Sequence, residues 1–139
     1  SKGLGAPVGS ALVGDADFIG EARRFKHLFG GGFRQAGIIA AGALYALEHH
    51  RERLADDHAN ARRFAEGIAE AGGSVDLASV QTNMVYFEVD HPGRVVDEAL
   101  AAGVAMLVLG PHRIRAVFHL DVTAEDTKKA VDIVTGVIS

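Results

Sequence analysis

Apolar positions along this chain alternate between helical and strand-like spacing. The run from Gly9 to Gly14 reads as a short buried strand. Asp15-Ala16-Asp17 then offers N-cap chemistry for a helix running toward Leu28, where Gly30-Gly31-Gly32 stops it. A second helix is predicted to begin near Phe33 or Arg34, because Ala36, Ile39, Ala40, Ala43, Leu44 and Leu47 recur at helical spacing. It carries almost no charge before Glu48, so it is expected to be buried on most sides, between layers of one subunit or, as the favoured reading, against a second subunit.

From about Arg51 to Ala71 the apolar stripe narrows to Leu54, Ala61, Ala65 and Ile68, the pattern of a surface helix ended by Gly72-Gly73. Strands are expected at Val75-Asp76-Leu77 and from Met84 to Val89, followed by a helix from Pro92 or Gly93 to Ala102 that Gly103 closes. Two further strands are predicted, over Ala105 to Leu109 and Ile114 to His119. Thr123-Ala124-Glu125-Asp126 has the spacing of a capping box for a last helix ending near Ile138. Charge density rises near Glu48, which marks the expected boundary. Residues 1–50 read as the end of a larger α/β domain and 51–139 as a smaller α+β domain.

Composition narrows the function classes. A chain of 139 residues with 48% hydrophobic and 23% charged residues is that of a globular protein with its own core. A net charge of -4 argues against a general nucleic-acid binder, which needs clustered Lys and Arg. The absence of cysteine excludes a disulfide scaffold, a thiolate zinc site and a cysteine nucleophile, and suits a cytoplasmic protein. The apolar stretches are too short for a membrane span, so no membrane partner is expected.

Four cations stand out as candidate chemistry. Lys2 lies in a loop of small residues, Ser1-Lys2-Gly3-Leu4-Gly5-Ala6-Pro7-Val8-Gly9-Ser10, where glycines permit tight turns and Pro7 fixes a bend. A lysine positioned and partly desolvated in this way loses its proton more easily and becomes a Schiff-base nucleophile. Arg34 follows Gly30-Gly31-Gly32-Phe33 at the expected helix start, a placement suited to gripping an anion such as phosphate. Arg113 and Arg115 share one face of a predicted strand by alternation, so spacing alone leaves both as anchors for a carboxylate. The clusters Glu48-His49-His50 and Asp56-Asp57-His58 lack metal-ligand spacing and read as solvated charge near helix ends, so no metal site is expected. His119 reads as structural.

The lysine loop, Ala22-Arg23-Arg24, Gly30-Gly31-Gly32-Phe33-Arg34-Gln35-Ala36-Gly37 and His119-Leu120-Asp121-Val122 occur in this order. Together they resemble the threonine aldolases, pyridoxal 5'-phosphate (PLP) enzymes of the aspartate aminotransferase fold type within the β-eliminating lyases. In that family the lysine lies well past the middle of the polypeptide. The resemblance therefore implies the C-terminal part of such an enzyme, with the upstream half expected as a further segment or partner. It implies retro-aldol cleavage of L-threonine or L-allo-threonine to glycine and an aldehyde, with Lys2 holding PLP covalently. It also implies that Arg34 reaches the PLP phosphate of a neighbouring subunit in a dimer or tetramer with shared active sites, and that Arg115 binds the substrate carboxylate. His27 stands where some relatives carry lysine, beside Lys26, and either could face the cofactor. An aldolase for aromatic β-hydroxy amino acids, a related β-eliminating lyase, and an inactive oligomerisation module are the alternative expectations.

Overall fold

The computed structural model describes residues 1–138, and the chain divides into two compact units, Ser1–Arg51 and the stretch from Glu52 onward. The first unit holds two helices, α1 (Ala16–Leu28) and α2 (Gly37–His49). The second holds α3 (Leu54–Glu70), a 3-10 turn at Leu77–Ser79, β1 (Met84–Glu88), α4 (Pro92–Ala101), β2 (Leu107–Val108), β3 (Arg113–Val117) and α5 (Ala124–Ile138). Helices and a small antiparallel sheet together give the mixed α/β class expected.

Local chemistry sets the helix ends. Asp15 caps α1 by accepting a hydrogen bond from the Phe18 backbone N–H at 2.8 Å. The expected capping box opens α5: Asp126 N–H donates to Thr123 Oγ1, and Thr123 N–H donates to Asp126 Oδ2, both at 3.1 Å. The Thr123 hydroxyl adds a third bond to the same carboxylate at 2.6 Å. These bonds to its charged form, above all those from Thr123, hold the Asp126 carboxyl below its ordinary value of 3.8. A depressed folded-state pKa stabilises above the unfolded value, and that contribution is lost as pH falls through the folded value. Asp126→Asn is therefore expected to lower the melting temperature at neutral pH and to flatten its fall below about pH 4, the unfolded carboxylate range. Thermal melts across pH 2–7 (roughly the span of carboxylate titration) measure both effects.

The core belongs to the second unit. Antiparallel β3 lies between β1 and β2, with Tyr86 opposite Arg115 and Phe87 opposite Ile114. Alternation turns Val85, Phe87, Ile114 and Ala116 inward against Ala61, Phe64, Ala65 and Ile68 of α3, and all eight are buried. The Phe64 ring meets Phe87 and Phe118 at centroid distances of 6.1 and 5.5 Å, inclined geometries in which aromatic pairs contribute about 0.5–1.5 kcal/mol beyond their burial. The opposite face of the sheet leaves Met84, Tyr86, Leu107 and Val117 exposed.

Several expectations change. No strand forms between Gly9 and Gly14, where Leu12 and Val13 are exposed; an apolar run without a neighbouring strand has no ladder to join. At residues 75–77 the Asp76 carboxylate accepts from the Ala78 N–H at 3.0 Å and diverts the chain into the 3-10 turn, leaving only a bridge between Ser74 and Glu88. The strand expected over 105–109 contracts to two residues. α2 starts three residues later than Arg34 because Gln35 adopts φ 48, a left-handed conformation that cannot continue a helix. Asp57, read as solvated, is fully buried and ion-paired with Arg53 one turn earlier, because it lies on the α3 face that carries Ala61 and Phe64.

The first unit is organised differently. α1 has no buried residue and α2 buries only Ala46, whereas Ile38, Leu44, Tyr45 and Leu47 are more than half exposed. The alanine-rich surface expected to be covered on most sides is thus open within this unit. None of the described helices is long and apolar enough to cross a membrane.

Candidate active site

Lys2 sits on a turn closed by the Gly5 N–H donating to the Lys2 carbonyl at 2.8 Å, and Gly5 accepts φ 68 there at no steric cost. The loop rests on α2. A side chain added at Gly42 would lie 3.0 Å from Pro7 Cδ and Cγ, so the bare glycine is what lets the loop come this close. Between loop and helix lies a cleft of about 540 Å³, its apolar wall formed by Leu4, Ala6, Val8, Ala40, Ala43 and Leu47. Lys2 is the one residue of its lining with an ionisable side chain, and it makes no ion pair with any described residue. The lysine is exposed, since the unit supplies one wall of the cleft and no cover over it.

Arg34 lies in the turn ahead of α2 rather than on the helix. The first turn of α2 has neither a capping side chain nor an acidic residue, so its backbone donors and the guanidinium present unopposed positive potential. Among the described residues Arg34 has no hydrogen bond or ion pair. The glycine loop before it folds back on α1: the Gly31 N–H donates to Lys26 O at 2.7 Å, and Gly31 has no room for a side chain beside the Lys26 backbone. His27 hydrogen-bonds through Nδ1 to Arg23 O at 2.9 Å, which leaves Nε2 as its outward nitrogen. Neither His27 nor Arg34 lines the Lys2 cleft.

In the second unit the two strand arginines part company. Arg113 is exposed and paired with Glu88 at 2.9 Å across the β1–β3 ladder. Arg115, at the centre of the outer sheet face between Tyr86 and Leu107, has no acidic partner among the described residues, and its Nε is buried without a hydrogen bond. A buried guanidinium nitrogen left without an acceptor costs roughly 1–3 kcal/mol. Arg113 has its acceptor already.

The charged clusters behave otherwise than a metal site. Among the described residues no group of three His, Asp or Glu side chains could hold a metal ion. The rings of His49 and His50 both pack on Tyr45, at 4.2 and 5.6 Å between centroids, and His119 lies 3.6 Å from Asp121 beside solvent. One contact at the lysine loop escaped the sequence reading: His50 Nδ1 reaches the Leu4 carbonyl at 2.7 Å. The Asn60 amide similarly ties the loop after β3 to α3, donating to Val122 O at 3.2 Å.

The chain belongs to the β-eliminating lyase family, whose model, described as "Beta-eliminating lyase", matches residues 1–91. It is 39% identical over 132 residues to "Low-specificity L-threonine aldolase 1" of Arabidopsis thaliana, covering 91% of this chain and 37% of that one. It is 43% identical over 126 residues to the "Low specificity L-threonine aldolase" of Escherichia coli, covering 90% and 37%. "Aldolase vrtJ" of Penicillium aethiopicum is 34% identical over 140 residues, covering 99% and 36%. The chain thus spans little more than a third of the length of the curated relatives it matches.

Proposed function

We propose that this chain is the C-terminal part of a cytoplasmic, PLP-dependent aldolase that cleaves L-threonine or L-allo-threonine to glycine and acetaldehyde. The observation that carries the reading is a contrast in charge pairing. On β3, Arg115 lacks an acidic partner among the described residues whereas Arg113 holds Glu88, and Lys2 and Arg34, like several surface cations, have none either. Cations left without internal counter-ions suit a ligand with a carbonyl to capture, a phosphate and a carboxylate. PLP and an amino acid together have all three groups.

In this reading Lys2 holds the cofactor covalently through Nζ, at the cleft between its loop and α2. Arg34 grips the phosphate, reaching the active site of a neighbouring subunit, with His27 Nε2 or Lys26 as its helper. Arg115 fixes the substrate carboxylate through two parallel hydrogen bonds, which orients the Cα–Cβ bond for cleavage. When bound, PLP supplies the electron sink for breaking that bond. The open faces of α1 and α2 are covered by the remainder of a longer polypeptide and by a second subunit, as expected for a 51-residue unit with a single buried side chain.

Product analysis of the full-length protein with L-threonine tests the proposal. Glycine and acetaldehyde in equal amounts are expected. Ammonia without glycine would reassign the protein to elimination chemistry, and the absence of any product would leave an oligomerisation module.

A further inference from the structure

His50, at the end of α2, reaches the lysine loop, and its contact spans 46 positions of sequence. It caps the C-terminus of α2, where its backbone N–H donates to Ala46 O at 2.9 Å. Its half-buried ring stands edge-on to Tyr45, with an interplanar angle of 87°. That packing aims Nδ1 at the Leu4 carbonyl, 2.7 Å away. A carbonyl can only accept, so the hydrogen must reside on Nδ1. Leu4 lies within the hydrogen-bonded turn from Lys2 to Gly5, two residues from the lysine itself.

Two contacts that hold the loop on α2 differ in kind. Pro7 on Gly42 fixes its far side by contact, and His50 on Leu4 fixes the near side by a directed hydrogen bond. Without the second tether the turn from Lys2 to Gly5 remains closed by its own hydrogen bond but loses the directed bond that orients it on α2. We infer that His50 is a positioning residue for Lys2: by tethering the Leu4 carbonyl it holds the turn so that Nζ is presented into the cleft. His49, on the same helix end, stacks on Tyr45 but has no hydrogen bond to the loop, so it serves as an internal control.

This inference rests on the reading of Lys2 as the residue that captures PLP. The test uses the full-length protein freed of cofactor, mixed with PLP for defined times, quenched with borohydride and mapped by peptide mass. The readout is the rate of adduct formation at Lys2, with melting temperature followed in parallel. His50→Ala is expected to slow capture about fivefold, the scale of one lost neutral hydrogen bond. His50→Asn, whose amide N–H can stand near the position of Nδ1–H, is expected to recover most of the rate, and His49→Ala to leave it unchanged. The inference is overturned if His50→Ala captures at the wild-type rate. It is equally overturned if His50→Asn falls as far as His50→Ala, since ring packing on Tyr45 rather than the hydrogen bond would then be the cause. A wild-type protein that captures PLP at a residue other than Lys2 defeats the prior reading of the lysine, and is distinguished from both by the mapped peptide.

Discussion

Lys2→Ala in the full-length protein is expected to abolish the borohydride-fixed PLP adduct and to lower turnover of L-threonine by roughly 10²- to 10⁴-fold, the range for removing a group that acts directly in the chemistry. The size of the effect follows from the absence of a substitute. No other residue lining the cleft has an ionisable side chain. Lys26, the remaining lysine of the unit, packs its stem against Gly31 while its carbonyl accepts the Gly31 N–H, so it is held by a different loop. Lys2→Arg keeps the charge but has no neutral amine near neutral pH, and is expected to behave as Lys2→Ala does. Lys26→Ala keeps the adduct. Peptide mapping of the reduced protein and steady-state rates check all three variants, and an adduct on Lys26 in the wild type would sink the assignment.

Much of the architecture was legible because its causes are local. The Asp15 cap and the Thr123–Asp126 box depend on residues three apart, and each forms as its spacing requires. Alternation along β3 puts Arg113 and Arg115 on one face, opposite buried Ile114, for the same reason. The failures share the opposite property. A strand at Gly9–Gly14 needs a neighbour to pair with, and a strand at Val75–Leu77 loses to a single side-chain hydrogen bond from Asp76. Asp57 reads as surface charge by residue type, whereas its helical phase puts it among Ala61 and Phe64.

The candidate site divides along the same line. Residue type and flanking glycines single out Lys2 and Arg34, and the resemblance to a known family adds His27 and Arg115. Their state of engagement was not legible. Adjacent histidines at a helix end look alike in sequence, and only the path of the loop shows that His50, not His49, reaches back 46 positions to Leu4. Arg113 and Arg115 are equivalent by alternation until Glu88 is found opposite Arg113 in the ladder. That glutamate neutralises one arginine and leaves the other.

Arg115→Leu is accordingly expected to reduce kcat/KM for L-threonine roughly hundredfold, while Arg113→Leu changes it by less than about threefold. The first figure corresponds to losing hydrogen bonds to a charged carboxylate, at about 1.5–3 kcal/mol. The second follows from the exposure of Arg113 and Glu88, each about half accessible, because exposed pairs contribute about 0–1 kcal/mol and solvent screens them further. Arg115→Lys restores charge but not the planar fork, so it should recover only part of the loss. Because Arg115 acts on the carboxylate, the weakening should appear in KM and, by the same factor, in competitive inhibition by glycine, which keeps the carboxylate and lacks the β-hydroxyl. The buried Nε supplies a second readout. Its unmet donor is a cost in the unliganded protein, so Arg115→Leu should leave the melting temperature of that protein unchanged or raise it. A fall in both melting temperature and glycine affinity would mean that Arg115 supports the sheet rather than the substrate, and equal losses from Arg113→Leu and Arg115→Leu would show that the sheet face attracts anions through its summed charge rather than through one guanidinium.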